Sequence, residues 1–210
     1  LVEEFVNGDE VSVEAFVENG EVRIIQITDK ITTGAPHFVE MGHNQPSAHP
    51  EHIVTLIEET TINAVKALKI EGGPVHAELK VAKDGVKVIE LGARLGGDYI
   101  ATDLVPLSTG VDLVEANIKW ALGLPFNLDK KYSRHAAIRY LDHLDSIELD
   151  ASVLCCLDHF AWNRLESWEI QSSRDREACF IVSDSSYANM DKKIELMRHV
   201  LKDRCAKMYW

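Results

Sequence analysis

Glu78 and Glu90 stand on either side of a turn signal in the segment HAELKVAKDGVKVIELGARLGGD, residues 76–98. Apolar and polar residues alternate on both flanks, the period of a half-buried hairpin. A three-residue loop of Lys83, Asp84 and Gly85, with Gly85 left-handed, pairs Ala82 with Val86 and sets Glu78 directly opposite Glu90. That register gathers Ala77, Leu79, Val81, Ile89 and Leu91 on one side and His76, Glu78, Lys80, Glu90 and Gly92 on the other. A two-residue loop opposes Glu90 to Leu79 and mixes the two sets, so the binary pattern selects the longer loop.

Carboxylates opposed on one sheet face have Cβ atoms about 4.5–5.5 Å apart and repel unless positive charge lies between them. Lys80 on the same face can supply part of it. A magnesium ion is the sharper solution, because hard oxygen ligands suit a hard cation that keeps positions open for substrate phosphates. The plainer alternative is two solvated carboxylates on a hairpin surface. Arg94 and the run Leu95-Gly96-Gly97-Asp98 follow, adding a guanidinium fork for an anionic group and a backbone unobstructed by Cβ atoms. An acidic hairpin continued as E-x-G-x-R-x-G-G reads as a phosphate and metal site.

The elements that position these groups can be followed along the chain. Residues 1–6, 11–17 and 22–28 read as strands, with Asn19-Gly20 closing a hairpin over 11–28. A polar stretch of two Gly and two Pro, ITDKITTGAPHFVEMGHNQPS, follows; non-repetitive segments of that length are usually functional or mobile. Ile53, Leu56, Ile57, Thr60, Ala64, Val65 and Leu68 make a helical stripe over 51–68, stopped by Gly72-Gly73. Strands are predicted at 75–82 and 86–91, and a helix over 112–122, with Leu113, Ile118 and Leu122 buried and Gly123 and Pro125 ending it. Beyond it, strands are expected at 135–141, 166–171 and 179–183 and a helix from Met190 to Lys202.

The chain has 210 residues, 46% hydrophobic and 27% charged, with a net charge of -12. These are globular values, and a chain of this size buries about 70% of its extended surface. The acidic balance argues against non-specific nucleic-acid binding, while one local cradle for a phosphorylated ligand remains open. No apolar run reaches the ~18 residues of a membrane span. Cys155, Cys156, Cys179 and Cys205 form no C-x-x-C pair and read as reduced thiols of a cytoplasmic protein. The opening LVEEF has no signal-peptide features and no initiator Met, and suggests a fragment of something longer.

Taken with VEEFVNGDEVSVEAF at residues 2–16, the hairpin resembles the C-terminal half of an ATP-grasp domain, nearest to carboxylate-amine ligases of the L-amino-acid ligase type. The resemblance is strong over residues 1–125 and weaker beyond. It implies an α+β fold: an ATP-grasp C-terminal subdomain over 1–125, an antiparallel sheet with flanking helices, followed by a small α/β domain over 126–210. By the same resemblance, Glu3, Glu4 and Val6 clasp adenine and Glu10 takes the ribose hydroxyls. Glu78 and Glu90 bind magnesium, and Arg94 holds the transferred phosphate or acyl-phosphate. Gly92 departs from the family's common Asn at that position, leaving that metal ligand to water. HFVEMGHNQPS, residues 37–47, resembles the segment in which Glu40 holds the substrate amine and His43 lies near the reacting carboxyl, with Lys30 a phosphate neighbour.

The expected function is an ATP-dependent ligase that activates a carboxylate as acyl-phosphate and joins it to an amine, using ATP with Mg2+, or Mn2+ in its place. The substrates are small molecules; no nucleic acid or membrane partner is expected, and a homodimer is left open. Two other readings stand beside it: an ATP-grasp carboxylase or synthetase subunit working through carboxyphosphate, and a non-catalytic binding module. The first ATP-grasp portion, with its lysines and glycine-rich loop, is expected in a parent chain, so the 210 residues alone are expected to be inactive.

Overall fold

In the computed structural model, Asn19 and Gly20 both take positive φ, 52° and 79°, and close the first hairpin as the flanking alternation predicts. The structure describes residues 2–141, 155–162 and 171–201. They divide into two units, one made of residues up to Asp29 with Gln45–Ser133, the other of Lys30–Asn44 with the residues from Arg134 onward. The fold is α+β, with antiparallel strands flanked by helices.

The first unit is built on β1 (Gly8–Glu18), β2 (Glu21–Thr32, its last residues counted with the second unit), β4 (Gly73–Ala82) and β5 (Gly85–Gly92), in the order β5-β4-β1-β2. Odd residues of β1 and β4, Val11, Val13, Ala77 and Leu79, pack with Ile57 of helix α1 (Glu51–Ala67). Each Val, Leu or Ile of this set contributes about 1.5–3 kcal/mol by leaving water. The even residues Ser12, Glu14 and Phe16 are buried too, so β1 is covered on both faces and carries polar groups inside. After β5 come a π-helical turn (Ile100–Leu104) and two short helices, α2 (Val105–Thr109) and α3 (Leu113–Ala121). Asp112 starts α3 by accepting from Glu115 N–H at 2.8 Å. Gln26, Ser108, Gln45 and Thr28 form a buried hydrogen-bonded chain at 3.0, 2.8 and 2.9 Å.

In the second unit the strand order is β3 (Glu40–Gln45), β6 (His135–Leu141), β8 (Ala178–Asp184), β7 (His159–Trp162). Helix α4 (Tyr187–Leu201) lays Met190, Ile194 and Met197 on Ala137, Leu141, Phe180 and Val182. Its start is set by Asp184, which accepts from Ser186 N–H and Asn189 Nδ2 and pairs with Lys193. Those partners hold its carboxyl down at about 2, the Ser186 backbone bond contributing most.

Several expectations are corrected. Residues 2–7 form no strand; Val2 and Phe5 are exposed, and pairing begins at Gly8, where a Cβ would lie 2.3 Å from the Val81 carbonyl oxygen. The α1 stripe centres on Ile57, Thr61 and Val65, while Leu56 and Leu68 are exposed. Of the expected core of α3, Leu113 is buried, and Ile118 and Leu122 face solvent. The polar stretch over 27–47 is largely strand, because β2 continues to Thr32 and Glu40–Gln45 is β3. Helix α4 begins at Tyr187, ahead of the expected Met190; its expected end at Lys202, and 166–170 of the expected strand, lie outside the described residues. No helix among the described residues is long and apolar enough to cross a membrane.

Candidate active site

The hairpin brings Glu78 opposite Glu90 and His76 opposite Gly92. Its route there differs from the expected one. Lys83 and Asp84 form a two-residue turn, Gly85 enters β5 at φ +126°, and Leu79 pairs with Val88. A bulge at Ile89 then shifts the register by one and restores the Glu78–Glu90 pairing. Ile89, expected on the apolar side, is exposed as a result. Lys80 is not between the two carboxylates: it pairs with Glu10 at 3.1 Å across β1 and β4.

Arg94 reaches Glu90, Nη2 to Oε1 at 3.3 Å, and donates to the Leu95 carbonyl at 3.2 Å. Both partners of the ion pair are more than half exposed, and such pairs contribute about 0–1 kcal/mol, so the guanidinium exchanges this partner for another anion at little cost. Gly92 lets Arg94 lie back: a Cβ there would be 3.1 Å from Arg94 Cγ.

Behind the carboxylates lies a buried pair that the sequence pattern did not single out. His76 Nδ1 meets a carboxylate oxygen of Glu14, and His76 Nε2 lies 3.3 Å from Glu78 Oε1. Burial alone lowers the affinity of His76 for its proton, but the hydrogen bonds and charges of Glu14 and Glu78 outweigh it and raise the pKa to about 9. The imidazole is therefore a cation at neutral pH. Glu14 Oε2 accepts from the Gly96 N–H at 3.1 Å, and a Cβ on Gly96 would fall 2.3 Å from Glu14 Oε1. The available signal was the strand register, since β1 and β4 pair Glu14 with His76 and Ser12 with Glu78.

The donor chemistry at the hairpin fits a magnesium ion. Glu78 and Glu90 offer hard oxygens, and magnesium commonly takes one or two protein carboxylates with water and phosphate for the rest. Among the described residues no cluster of three or more His, Cys, Asp or Glu is arranged to hold a metal. Glu3 and Glu4 are exposed and Val6 half-buried, in the stretch before β1.

In the second unit, Lys30 Nζ and Glu40 Oε1 are 3.5 Å apart, with the Lys30 side chain 2% exposed. His43 is fully buried, edge-on to Tyr140 at 6.1 Å between ring centres. Two arginines brace this strand. Arg139 donates to the His43 carbonyl at 3.3 Å and to Asn44 Oδ1 at 2.9 Å; Arg176 donates to the Glu40 carbonyl at 3.2 Å and stacks on Tyr140 at 3.8 Å. Burial lowers Arg139 to about 10, against the pull of Tyr187 and Asp191, which leaves it charged.

Residues 1–103 match the ATP-grasp domain family. The chain is 32% identical over 161 residues to the uncharacterized protein y4rH of Sinorhizobium fredii, covering 73% of this chain and 33% of that protein. It is 29% identical over 125 residues to carnosine synthase 1 of Gallus gallus, covering 60% of this chain and 13% of that enzyme. The chain thus spans a third or less of these curated relatives. Among solved structures, L-amino acid ligase from Bacillus licheniformis superposes with a TM-score of 0.79 at 24% identity, covering 98% of this chain and 55% of that one. Phosphoribosylglycinamide synthetase from Anaerococcus prevotii gives 0.77 at 19% identity, covering 94% and 53%.

Proposed function

Since this chain belongs to the ATP-grasp superfamily, we propose that it carries the metal-binding wall of an ATP-dependent carboxylate-amine ligase. The observation that carries the reading is Glu78 facing Glu90 with Arg94 reaching back onto Glu90. Magnesium held by Glu78 and Glu90 supplies charge neutralisation for the phosphoryl oxygens. Arg94 leaves Glu90 for the transferred phosphoryl group and steadies the acyl-phosphate. A substrate carboxylate oxygen bonds to the γ-phosphorus as ADP leaves; an amine nitrogen then bonds to the acyl carbon, phosphate departs, and the nitrogen loses a proton.

Glu3, Glu4 and Val6 are assigned to the adenine edge and Glu10 to the ribose hydroxyls. Glu40, beside Lys30, is assigned to the amine of an amino acid, Lys30 to the phosphate side, and His43 to the reacting carboxyl. The wall that covers the triphosphate from the other side is assigned to residues outside these 210, in keeping with relatives that extend well beyond the matched span, and the protein is read as cytoplasmic.

Trapping with hydroxylamine tests the reading. In the protein that includes the facing wall, ATP, Mg2+ and the correct carboxylic acid yield a hydroxamate and one phosphate per turnover. Phosphate release that depends on bicarbonate alone, with no hydroxamate from any carboxylic acid, overturns it in favour of carboxyphosphate chemistry.

A further inference from the structure

Glu14 and His76 are 1% and 4% exposed, yet both belong to one continuous line of polar contacts that ends on the surface. The Gly96 N–H donates to one oxygen of Glu14, the other meets His76 Nδ1, and His76 Nε2 reaches Glu78. With a carboxylate at each ring nitrogen, both nitrogens serve as donors. Glu14 therefore ties together two parts of the site that the chain separates: the Glu78 carboxylate, through the imidazole, and the loop two residues past Arg94, through the Gly96 backbone.

Packing alone does not account for this arrangement. Apolar side chains of similar volume usually hold a core as well as a buried ion pair does, because two charges must be stripped of water to bury it. Gly96 adds a second constraint, since any side chain there collides with the Glu14 carboxylate. Three residues from three stretches of sequence are thus fitted to one another, and through His76 they end on one of the hairpin carboxylates. We propose that Glu14 and His76 are a positioning pair that fixes the orientation of Glu78 as a metal ligand and locks the Arg94 loop against it. The inference rests on Glu78 and Glu90 being the magnesium carboxylates; it adds what aims one of them. A carboxylate held at one oxygen by a buried donor keeps its remaining lone pairs on a fixed heading, and loss of such a support typically weakens metal binding about 10–100-fold.

The test uses Mn2+ as probe and NMR line broadening of the Glu78 and Glu90 side chains in the 210-residue chain as readout, with a urea midpoint for every variant. His76→Gln should raise the half-saturating Mn2+ concentration at least tenfold while the chain stays folded. Glu14→Gln should do the same, and the double variant should be no worse than His76→Gln alone, because the two act in series. If His76→Gln does not fold, Glu14→Gln alone decides by the same tenfold criterion. Half-saturation within twofold of the parent in a folded variant, or additive losses in the double variant, overturns the positioning pair; if Glu78→Gln meanwhile abolishes the broadening, the metal reading survives. Absence of broadening at Glu78 and Glu90 in the parent overturns both.

Discussion

Glu78 and Glu90 face each other across a hairpin whose turn is one residue too short to place them there, and the bulge at Ile89 supplies the missing residue. The bulge falls between the well-packed half of the hairpin, where Val81 and Val86 pack on the core, and the end that carries the carboxylates. A bulge re-aims the strand beyond it and is common next to active sites. The hairpin core and the site end are thereby set by separate registers.

Replacing Glu90 by Gln removes one anionic oxygen from the proposed metal pair and a partner from Arg94. Because its side chain is 62% exposed, the urea midpoint should not move. Activity of the protein with both walls should fall about 10–100-fold at fixed Mg2+ and recover in part as Mg2+ is raised. Turnover unchanged across the Mg2+ titration would remove Glu90 from the ligand set.

Gly96→Ala should cost about 1–3 kcal/mol, the range for forcing volume into a filled site, because the new methyl would meet Glu14 and His76. Gly97→Ala is the control: a Cβ there meets nothing within 4 Å, and its urea midpoint should stay near the parent's.

Stability should fall with rising pH through His76. Below pH 6.5 the imidazole is protonated in both folded and unfolded chains, and its pairing contributes in full. Above 6.5 the unfolded chain releases the proton while the folded one keeps it to about pH 9, so stability drains across that window, by about 3 kcal/mol at most. Urea unfolding at pH 6 and pH 9.5 should show a larger loss for the parent than for His76→Gln; equal losses would mean that His76 is not held as a cation.

Ser108→Ala removes the hydroxyl that accepts from Gln26 and donates to Gln45. Two buried amides lose a partner at once, and the chain should lose about 1–3 kcal/mol. A thermal or urea melt measures this, and a change below 0.5 kcal/mol would show that the amides find other partners.

Much of this was legible beforehand. The Asn19-Gly20 hairpin, β6 and the Glu78–Glu90 pairing all follow from alternation and turn chemistry, which act over a few residues. What stayed hidden depends on partners distant in sequence. Nothing local distinguishes a glutamate facing His76 from one facing water, and only the pairing of β1 with β4 brings Glu14 to the imidazole. EMGHNQ carries no β-branched residue and no Phe, Tyr or Trp, so β-propensity could not identify β3; Met41, His43 and Gln45 are buried there nonetheless. The bulge escaped because a two-residue turn plus a bulge and a three-residue turn without one give the same carboxylate pairing.

The segment Lys30–Asn44 folds with the C-terminal unit although both of its neighbours in sequence belong to the first. A protein shortened after Ser133 would therefore keep β3 while losing β6, its neighbour in the sheet. Backbone groups that β6 satisfies would be bared along that edge, and Met41 and His43, now fully buried, would be uncovered beside them. An open strand with apolar side chains is a template for pairing with other chains. Truncation at that point should yield self-association rather than a soluble half.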